Sequence, residues 1–151
     1  TENVNQAQKV ILVSEIEKYF GGNLQGKKIA VWGLAFKANT DDIREASSLD
    51  NIEKLLEKGA TISAYDAIAE ENVRKLLGDK IAYSKDMYSA LENADCLLIA
   101  TEWSEFKNPN FEIMAEKMNN KAIFDGRNML PLGQIEDKGF FYKSNGGKTL
   151  G

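Results

Sequence analysis

The feature that most constrains the fold is a strand–loop–helix pattern in the stretch KKIAVWGLAFKANTDDIREASS, residues 27–48. An apolar run at residues 29–32 predicts a buried strand, and Gly33 marks its end. A polar loop follows, after which Ser47 or Ser48 can cap a helix. The apolar positions of that helix are Leu49, Ile52, Leu55 and Leu56. The pattern is the first half of a βαβ unit, in which loops at the carboxyl ends of strands hold ligands.

The loop after Gly33 differs from the dinucleotide-binding fingerprint G-x-G-x-x-G. In that fingerprint the chain turns directly into a helix whose backbone amides hold a pyrophosphate. Here the loop extends from residue 34 to residue 46, so backbone amides alone do not form such a cradle. Lys37 and Arg44 could contact phosphates with their side chains instead, Arg through its planar fork and Lys as a point charge. An ordinary loop with solvated charges explains the same spacing equally well.

Strands and helices alternate along the rest of the chain. Further strands are predicted at residues 60–66, 80–84, 95–101, 122–126 and 140–143. Helices are predicted at residues 4–20, 70–77, 85–93, 111–118 and 132–137. The alternation predicts an α/β fold, a Rossmann-like doubly wound parallel sheet with right-handed crossovers, preceded by a long amino-terminal helix. We expect the domain to occupy residues 23–144 and residues 145–151 to form a flexible tail, because SNGGKTLG has the composition of turns and linkers.

The first predicted helix has an apolar stripe that is wider than a lone surface helix needs, and Gly21-Gly22 should end it. The stripe contains Val4, Ala7, Val10, Ile11, Val13, Ile16 and Phe20. Two explanations are equally good. The helix packs on a neighbour that is absent from this chain, or it lies on the sheet of its own domain.

Composition limits the functions that this chain can have by itself. Its 151 residues suit one domain, and a net charge of −4 gives no general attraction to nucleic acid or anionic membranes. No apolar run approaches twenty residues and no signal-peptide pattern is present, so we expect neither a membrane span nor export. Histidine is absent and no metal-ligand spacing occurs, so we expect no metal site and no catalytic residue. The single cysteine fits a reducing cytoplasm.

Three other residues each have two interpretations. Asp66, at the end of the second predicted strand, could bind a ribose hydroxyl, but without a glycine fingerprint upstream we expect it to cap the next helix. Cys96 lies inside a continuously apolar strand, which favours an inert packing residue over a nucleophile. Trp103 could stack on a base or close over the core beside Phe106 and Phe111.

Three basic residues follow the predicted carboxyl ends of strands. Lys37 and Arg44 lie after the first strand, and Arg127 follows Asp125-Gly126 at the end of a later one. Because the carboxyl ends of parallel strands meet at one edge of a sheet, we expect these cations to converge on a single crevice.

Four ordered motifs identify a family resemblance that extends from about residue 3 to residue 142. GLAFKANTDDIREAS resembles the signature that opens the carboxy-terminal domain of nucleotide-sugar dehydrogenases, the UDP-glucose/GDP-mannose dehydrogenase family. YDAIAEENV, ATEWSEF and FDGRNML match later landmarks of that domain in the same order. The combination of TEW with FDGRN most resembles the members that oxidise UDP-glucose. By this resemblance, residues 1–22 are the end of the linking and dimerisation helix, and residues 23–144 bind the nucleotide sugar.

The resemblance also implies roles for individual residues. Phe36 and Lys37 resemble the pair that contacts the UDP-sugar, Arg127 the arginine that meets the same ligand, and Arg44 the arginine that reaches toward NAD. Members of the family make UDP-glucuronate by two successive NAD-dependent oxidations through a catalytic cysteine. The segments that bind NAD and carry that cysteine have no counterpart here. We therefore expect an inactive fragment of a cytoplasmic oxidoreductase that, at full length, is a homodimer or higher homo-oligomer.

Other functions remain open at this point. The substrate could be GDP-mannose or a UDP-N-acetylhexosamine, or the chain could be a free-standing nucleotide-binding module. A purely structural domain would show no thermal shift with any nucleotide sugar.

Overall fold

The computed structural model describes residues 13–34, 47–66, 68–100, 104–126, 130, 132–144 and 149–150. Its strands are β1 (Lys28–Trp32), β2 (Thr61–Tyr65), β3 (Ala82–Tyr83), β4 (Cys96–Ile99), β5 (Ala122–Asp125), β6 (Phe141–Ser144) and β7 (Thr149–Leu150). Within the described residues these seven strands form one sheet in the order β3-β2-β1-β4-β5-β6-β7. Neighbours from β3 to β6 run parallel, and β7 runs antiparallel to β6. The first six strands have the doubly wound order, so the predicted fold class is confirmed.

Helices connect most of the strands. They are α1 (13–19), α2 (Ser47–Glu57), α3 (Glu70–Leu77), α4 (Phe111–Lys117) and α5 (Leu132–Asp137). Three short 3₁₀-helices lie at Gly78–Lys80, Ser89–Leu91 and Ser104–Phe106. The bounds of α3 and α5 are those predicted from the sequence. Across the ranges described above, no helix has the length and apolar character that a membrane crossing requires.

Glycines end two helices as the sequence predicts. After α1, the Gly21 N–H donates to the Lys18 carbonyl at 3.1 Å, and the Gly22 N–H donates to the Glu17 carbonyl at 2.8 Å. This pair of bonds is the Schellman motif, which needs a residue with positive φ after the helix. Gly21 has φ 73°, and Gly59 ends α2 in the same way with φ 93°. Both stops are therefore encoded locally.

Hydrophobic side chains on the two faces of the sheet form two core layers, since successive residues of a strand point to opposite faces. The layer packed against α1, α2 and α3 contains Ile29, Val31, Ile62, Ala64, Cys96, Leu98 and Phe124 from the strands. The layer packed against α4 and α5 contains Ala30, Trp32, Leu97, Ile99, Ile123 and Tyr142. The central strands are therefore buried on both faces, as parallel strands normally are.

The described part of the first helix packs on its own domain. Val13 and Ile16 are 3% and 0% exposed within the first core layer. The Tyr19 ring lies 4.6 Å from the Phe141 ring and 5.9 Å from the Phe124 ring, measured between centroids. For α1, the second of the two explanations of the apolar stripe therefore holds. The long helix and the rest of the stripe fall on residues 1–12, outside the described part of the chain.

The predicted helix at residues 85–93 is wrong, because only Ser89–Leu91 is helical, as one 3₁₀ turn. Asp86 accepts from the Tyr88 N–H at 3.0 Å and from the Ser89 N–H at 2.8 Å, which fixes a turn before a helix can develop. Asn93 then has φ 60°, which a continuing helix does not allow. The residues expected to point inward do so, and they are Met87, Leu91 and Ala94.

The carboxyl terminus also differs from the prediction. Thr149–Leu150 form β7, a strand that the turn-like composition of this stretch did not predict. Leu150 pairs with Tyr142 and Thr149 with Lys143. The added strand supplies hydrogen-bonding partners to β6, which would otherwise be an open edge. Residues 145–148 and 151 lie outside the description.

Candidate functional site

Three adjacent strands end at one level of the sheet's carboxyl edge. Trp32 of β1 is in register with Ile99 of β4, and Ile99 is in register with Asp125 of β5. Neighbouring strands lie about 4.8 Å apart, so the exits of β1 and β5 are separated by about 10 Å. The strand order reverses between β1 and β4, and doubly wound folds bind their ligands in the crevice at such a switch point.

Backbone hydrogen bonds fix these exits. The Ala100 N–H donates to the Trp32 carbonyl at 2.9 Å, and the Gly126 N–H donates to the Ile99 carbonyl at 2.9 Å. The Gly33 N–H donates to the Tyr65 carbonyl of β2 at 2.8 Å. Gly33 has φ 98°, a conformation that side chains rarely tolerate, so a glycine is needed where the chain leaves β1. The segments that leave β1, β4 and β5 therefore start side by side.

Asp66, directly after β2, binds backbone rather than solvent. The residue is 4% exposed, and one carboxylate oxygen accepts from the Leu34 N–H at 2.7 Å. The other oxygen accepts from the Ile68 N–H at 2.8 Å and from the Ala69 N–H at 2.7 Å. These bonds join the exit of β1 to the turn before α3. They engage both oxygens, so the geometry does not favour a bond to a ribose.

The prediction that Asp66 caps the chain's entry into α3 is confirmed. Its carboxylate accepts from the N–H groups two and three residues ahead, Ile68 and Ala69, which is the bonding pattern of an N-cap side chain. Ala69, the residue directly before α3, already has helical dihedral angles, so the capping bonds lie ahead of the first assigned residue of the helix.

Asp125, at the end of β5, is the second buried carboxylate at this edge. The residue is 0% exposed, and it accepts from the Tyr142 hydroxyl at 2.8 Å and from the Leu130 N–H at 3.3 Å. Burial and the Asp125 charge raise the pKa of Tyr142, so the phenol stays a donor. The carboxylate thus joins β5, β6 and the residue that follows the segment 127–129.

An aromatic layer lies beneath the edge. Trp32 is fully buried, its ring stacks on Phe106 at 5.1 Å between centroids, and its indole N–H donates to the Met87 carbonyl at 2.8 Å. Phe106 lies in the 3₁₀-helix that follows the segment 101–103, so this stack anchors the far end of that segment. The prediction for Trp103 falls outside the described residues, and Phe106 is the aromatic residue seen to close the core here.

The β2 side of the edge is acidic. Burial, followed by a hydrogen bond to Glu105, raises the pKa of Tyr65 to about 12, and the charges of Asp66 and Asp86 act in the same direction. Several negative charges therefore lie around the Tyr65 phenol. Glu105 lies in the 3₁₀-helix that follows β4, so the negative charges around this phenol come from the segments that follow β2, β3 and β4.

The sequence-predicted site residues Phe36, Lys37, Arg44 and Arg127 lie outside the described residues, as does Trp103. The structure nevertheless places the ends of their segments together, because the exits of β1 and β5 flank the exit of β4. Sequence reasoning missed the roles of Asp125 and Tyr142. The signal for Asp125 was an acid before a glycine at a strand end, and nothing in the sequence indicated Tyr142 as its partner.

The single cysteine of the chain is buried within the described part of the structure. Cys96 is 0% exposed in β4, and burial strongly raises the pKa of its thiol, so the predicted packing role is confirmed. In the same described part of the chain, no group of three or more acidic or cysteine side chains could hold a metal ion.

The sheet is doubly wound, and the chain continues from β1, β4 and β5 beside the point where the strand order reverses. This arrangement defines a Rossmann-like nucleotide-binding domain. Comparison with known proteins makes this assignment specific. The sequence model of the UDP-glucose/GDP-mannose dehydrogenase family, UDP binding domain, matches residues 30–131. The chain belongs to this family and is its UDP-binding domain, as the motifs predict.

Individual relatives agree with that assignment. UDP-glucose 6-dehydrogenase from Pseudomonas aeruginosa is 36% identical, over 97% of this chain and 34% of the relative. The solved UDP-glucose dehydrogenase from Pyrobaculum islandicum is 33% identical with a TM-score of 0.75, over 84% of this chain and 28% of that one. The UDP-D-ManNAc dehydrogenase from Pyrococcus horikoshii is 27% identical with a TM-score of 0.72, over 93% of this chain and 30% of that one. The chain spans about a third of the length of each of these three relatives.

Proposed function

We propose that this domain binds the UDP part of UDP-glucose within a protein that oxidises UDP-glucose to UDP-glucuronate with NAD. The observation that carries the proposal is the common level of the β1, β4 and β5 exits, each followed by a segment of the matched motifs. A UDP-sugar is long and carries a diphosphate, so it needs cations from more than one loop. Segments that start about 10 Å apart can supply them to one ligand.

Each candidate side chain has a defined role in the proposal. Arg127 donates a forked, charge-assisted hydrogen bond to the diphosphate, and Lys37 adds a point charge. Phe36 makes an apolar contact with the nucleotide sugar. Arg44, which precedes α2 in the sequence, is assigned to the NAD cofactor rather than to the nucleotide sugar.

NAD does not fit this domain by itself. The NAD pyrophosphate requires a tight glycine-rich turn into a helix, whereas residues 34–46 separate Gly33 from α2 here. The domain's own contribution is therefore to hold and orient the nucleotide, while cofactor and nucleophile come from other parts of the full-length protein. We expect no NADH when the purified chain is mixed with UDP-glucose and NAD. NADH formation that disappears in Cys96→Ser would contradict this expectation.

A second substrate assignment has support from one of the comparisons. The similarity to the UDP-D-ManNAc dehydrogenase of Pyrococcus horikoshii favours a UDP-N-acetylhexosamine as the alternative, and GDP-mannose is the remaining family substrate. Both UDP-sugars present the same diphosphate and uridine to this domain. Titration of this chain with UDP-glucose, UDP-N-acetylmannosamine and GDP-mannose therefore tests which base the domain prefers. Only the same titration of the full-length protein tests which sugar is preferred.

The proposal extends to assembly and location. We propose that residues 1–22 end a helix that links this domain to the rest of a cytoplasmic homodimer or higher homo-oligomer. Because Val13 and Ile16 of α1 are buried in the domain, we expect the earlier apolar residues of the stripe, at positions 4–11, to drive self-association of this chain. A strictly monomeric species in sedimentation at high protein concentration would contradict that part of the proposal.

Calorimetric titration of UDP into the chain tests the site. Arg127→Ala should lose about 1.5–3 kcal/mol of binding free energy, roughly ten- to a hundredfold in affinity, because a charge-assisted bond is lost. Lys37→Ala should lose less, and Arg44→Ala should leave UDP binding nearly unchanged.

Arg74→Ala is the matched control, since Arg74 pairs with Glu70 at 2.6 Å on the outer surface of α3. If Arg44→Ala weakens UDP more than Arg127→Ala does, the assigned roles are wrong.

A further inference from the structure

We propose that the hydrogen bond between Tyr19 and Asn120 locks α1 onto the sheet, so that this helix and the nucleotide-binding domain open and move as one body. The helix lies outside residues 30–131, the part of the chain that the family match covers. No nucleotide takes part in the lock, which is therefore independent of the proposed UDP site. For the link to the full-length protein, the lock means that α1 moves with the sheet and is not a hinge.

Apolar contacts hold α1 on the sheet. Val13 and Ile16 are buried in the same core layer as Phe124 of β5. The Tyr19 ring packs on the same surface, with its centroid 5.9 Å from the Phe124 ring and 4.6 Å from the Phe141 ring of β6. Apolar burial is not directional, so these contacts attach the helix without fixing its rotation about its own axis.

A directional hydrogen bond fixes that rotation. Asn120, in the turn between α4 and β5, donates from its side-chain amide to the Tyr19 hydroxyl at 3.0 Å and to the Asp95 carbonyl at 3.1 Å. The Asp95 carboxylate in turn accepts from the Lys28 N–H at 2.9 Å. Tyr19 is the last residue of α1, so one amide group connects the end of this helix to the points where β4 and β1 begin.

The connection between α1 and β1 is itself anchored. The Gly26 N–H donates to the Gly59 carbonyl at 3.1 Å, in the turn before β2. A Cβ atom on Gly59 would lie 3.2 Å from the Gln25 Cα, so the two turns are in close contact. The Lys58 ammonium also pairs with the Glu17 carboxylate at 3.2 Å, but both side chains are about a third exposed and the pair adds little. The helix therefore does not hang on a free loop.

Tyr19→Phe tests the lock because it removes the oxygen that accepts from Asn120 and keeps the ring. Hydrogen exchange of backbone amides is measured on the whole chain under native conditions, without nucleotide. The reporters for α1 are the Phe20 and Gly22 N–H groups, which donate to the Ile16 and Glu17 carbonyls. The amides of β4 report on the sheet.

Two further variants make the measurement specific. Asn120→Ala removes the donor and is studied alone and together with Tyr19→Phe. Tyr83→Phe is the matched control, since its hydroxyl donates to the Gly78 carbonyl at 3.1 Å and its strand, β3, lies at the far end of the parallel strands from β5 and β6.

Amides that belong to one cooperative body exchange through the same opening. We expect Tyr19→Phe to lower the protection of the α1 and β4 amides by the same factor, about three- to tenfold, the equivalent of one hydrogen bond. In the Asn120→Ala background, Tyr19→Phe should have no further effect, because the bond is already absent. The effect of Tyr83→Phe should be the same in both backgrounds.

A loss of protection in α1 alone, with β4 unchanged, would show that the helix opens by itself and would overturn the proposal. Unchanged protection of α1 in Tyr19→Phe, or an equal loss with and without the Asn120 side chain, would overturn it as well. These outcomes leave the proposed function untouched, because UDP titration tests that function separately.

Discussion

The ends of β2 and β5 each place an aspartate at the same edge of the sheet, and each aspartate is buried. Asp66 receives three backbone N–H groups at 2.7–2.8 Å. Asp125 receives one backbone N–H at 3.3 Å and a tyrosine hydroxyl at 2.8 Å. The first carboxylate is thus held by the fold of the backbone, whereas the second also depends on the identity of a side chain on the next strand.

This difference shows how one residue type can stabilise two loops by different means. Backbone donors stay in place when neighbouring side chains change, so Asp66 should be hard to disturb except at Asp66 itself. The hydrogen bonding of Asp125 can be weakened by a substitution in β6, because Tyr142 can be replaced without altering the end of β5. The Asp66 end also lies near a second acid, since Glu105, from the segment after β4, and Asp66 both raise the pKa of Tyr65.

The largest effect is expected for Asp66→Ala, which leaves three N–H groups without their acceptor. The free energy of unfolding should fall by on the order of 3–4 kcal/mol in urea denaturation. Asp66→Asn should lose only about half of this, because the amide oxygen can keep the Ile68 and Ala69 bonds while the NH₂ group faces Leu34. Asp79→Ala, at an exposed position, is the control and should change stability by less than about 0.5 kcal/mol. A loss below 1 kcal/mol in Asp66→Ala would mean that the backbone donors find other partners.

An intermediate effect is expected for Tyr142→Phe. The Asp125 carboxylate stays buried but loses a donor, so the free energy of unfolding should fall by about 1–2 kcal/mol. Tyr83→Phe should lose less, because its hydroxyl bonds a carbonyl in a part-buried position near the surface. If chemical denaturation shows that both variants lose the same free energy of unfolding, the bond to Asp125 does not stabilise the fold more than the bond to the Gly78 carbonyl does.

The effect that is smallest at neutral pH comes from Tyr65, because its ionisation changes stability only above about pH 10. Its pKa rises from 10.0 in the unfolded chain to about 12 in the fold, so the folded state retains the proton longer. The contribution to stability is complete below pH 10 and is lost as the pH rises from about 10 to about 12. Tyr65→Phe should flatten this part of the pH dependence in urea unfolding, and absorbance titration should show one fewer late-ionising phenol. A wild-type Tyr65 that titrates with the exposed tyrosines would contradict the proximity of Glu105.

Much of the fold follows from local patterns. The apolar run at residues 29–32, the glycines at 21, 33 and 59, and the bounds of α3 and α5 all lie where the sequence predicts them. Where prediction failed, a local competitor was overlooked. Asp86 fixes a turn that replaces the expected helix at residues 85–93, and Thr149–Leu150 pair as a strand although their composition suggests a linker.

The sequence by itself determined the class of fold, the strand ends at which the motif segments begin, the inert role of Cys96 and the family to which the chain belongs. Only the tertiary structure decided which residues support those segments. Asp66 meets the Leu34 N–H across 32 positions of the chain, and Asp125 meets the Tyr142 hydroxyl across 17. Periodicity records whether a residue is buried, because burial repeats with the local geometry of a helix or strand. Which buried groups meet depends on strand order and register, and these are properties of the assembled sheet.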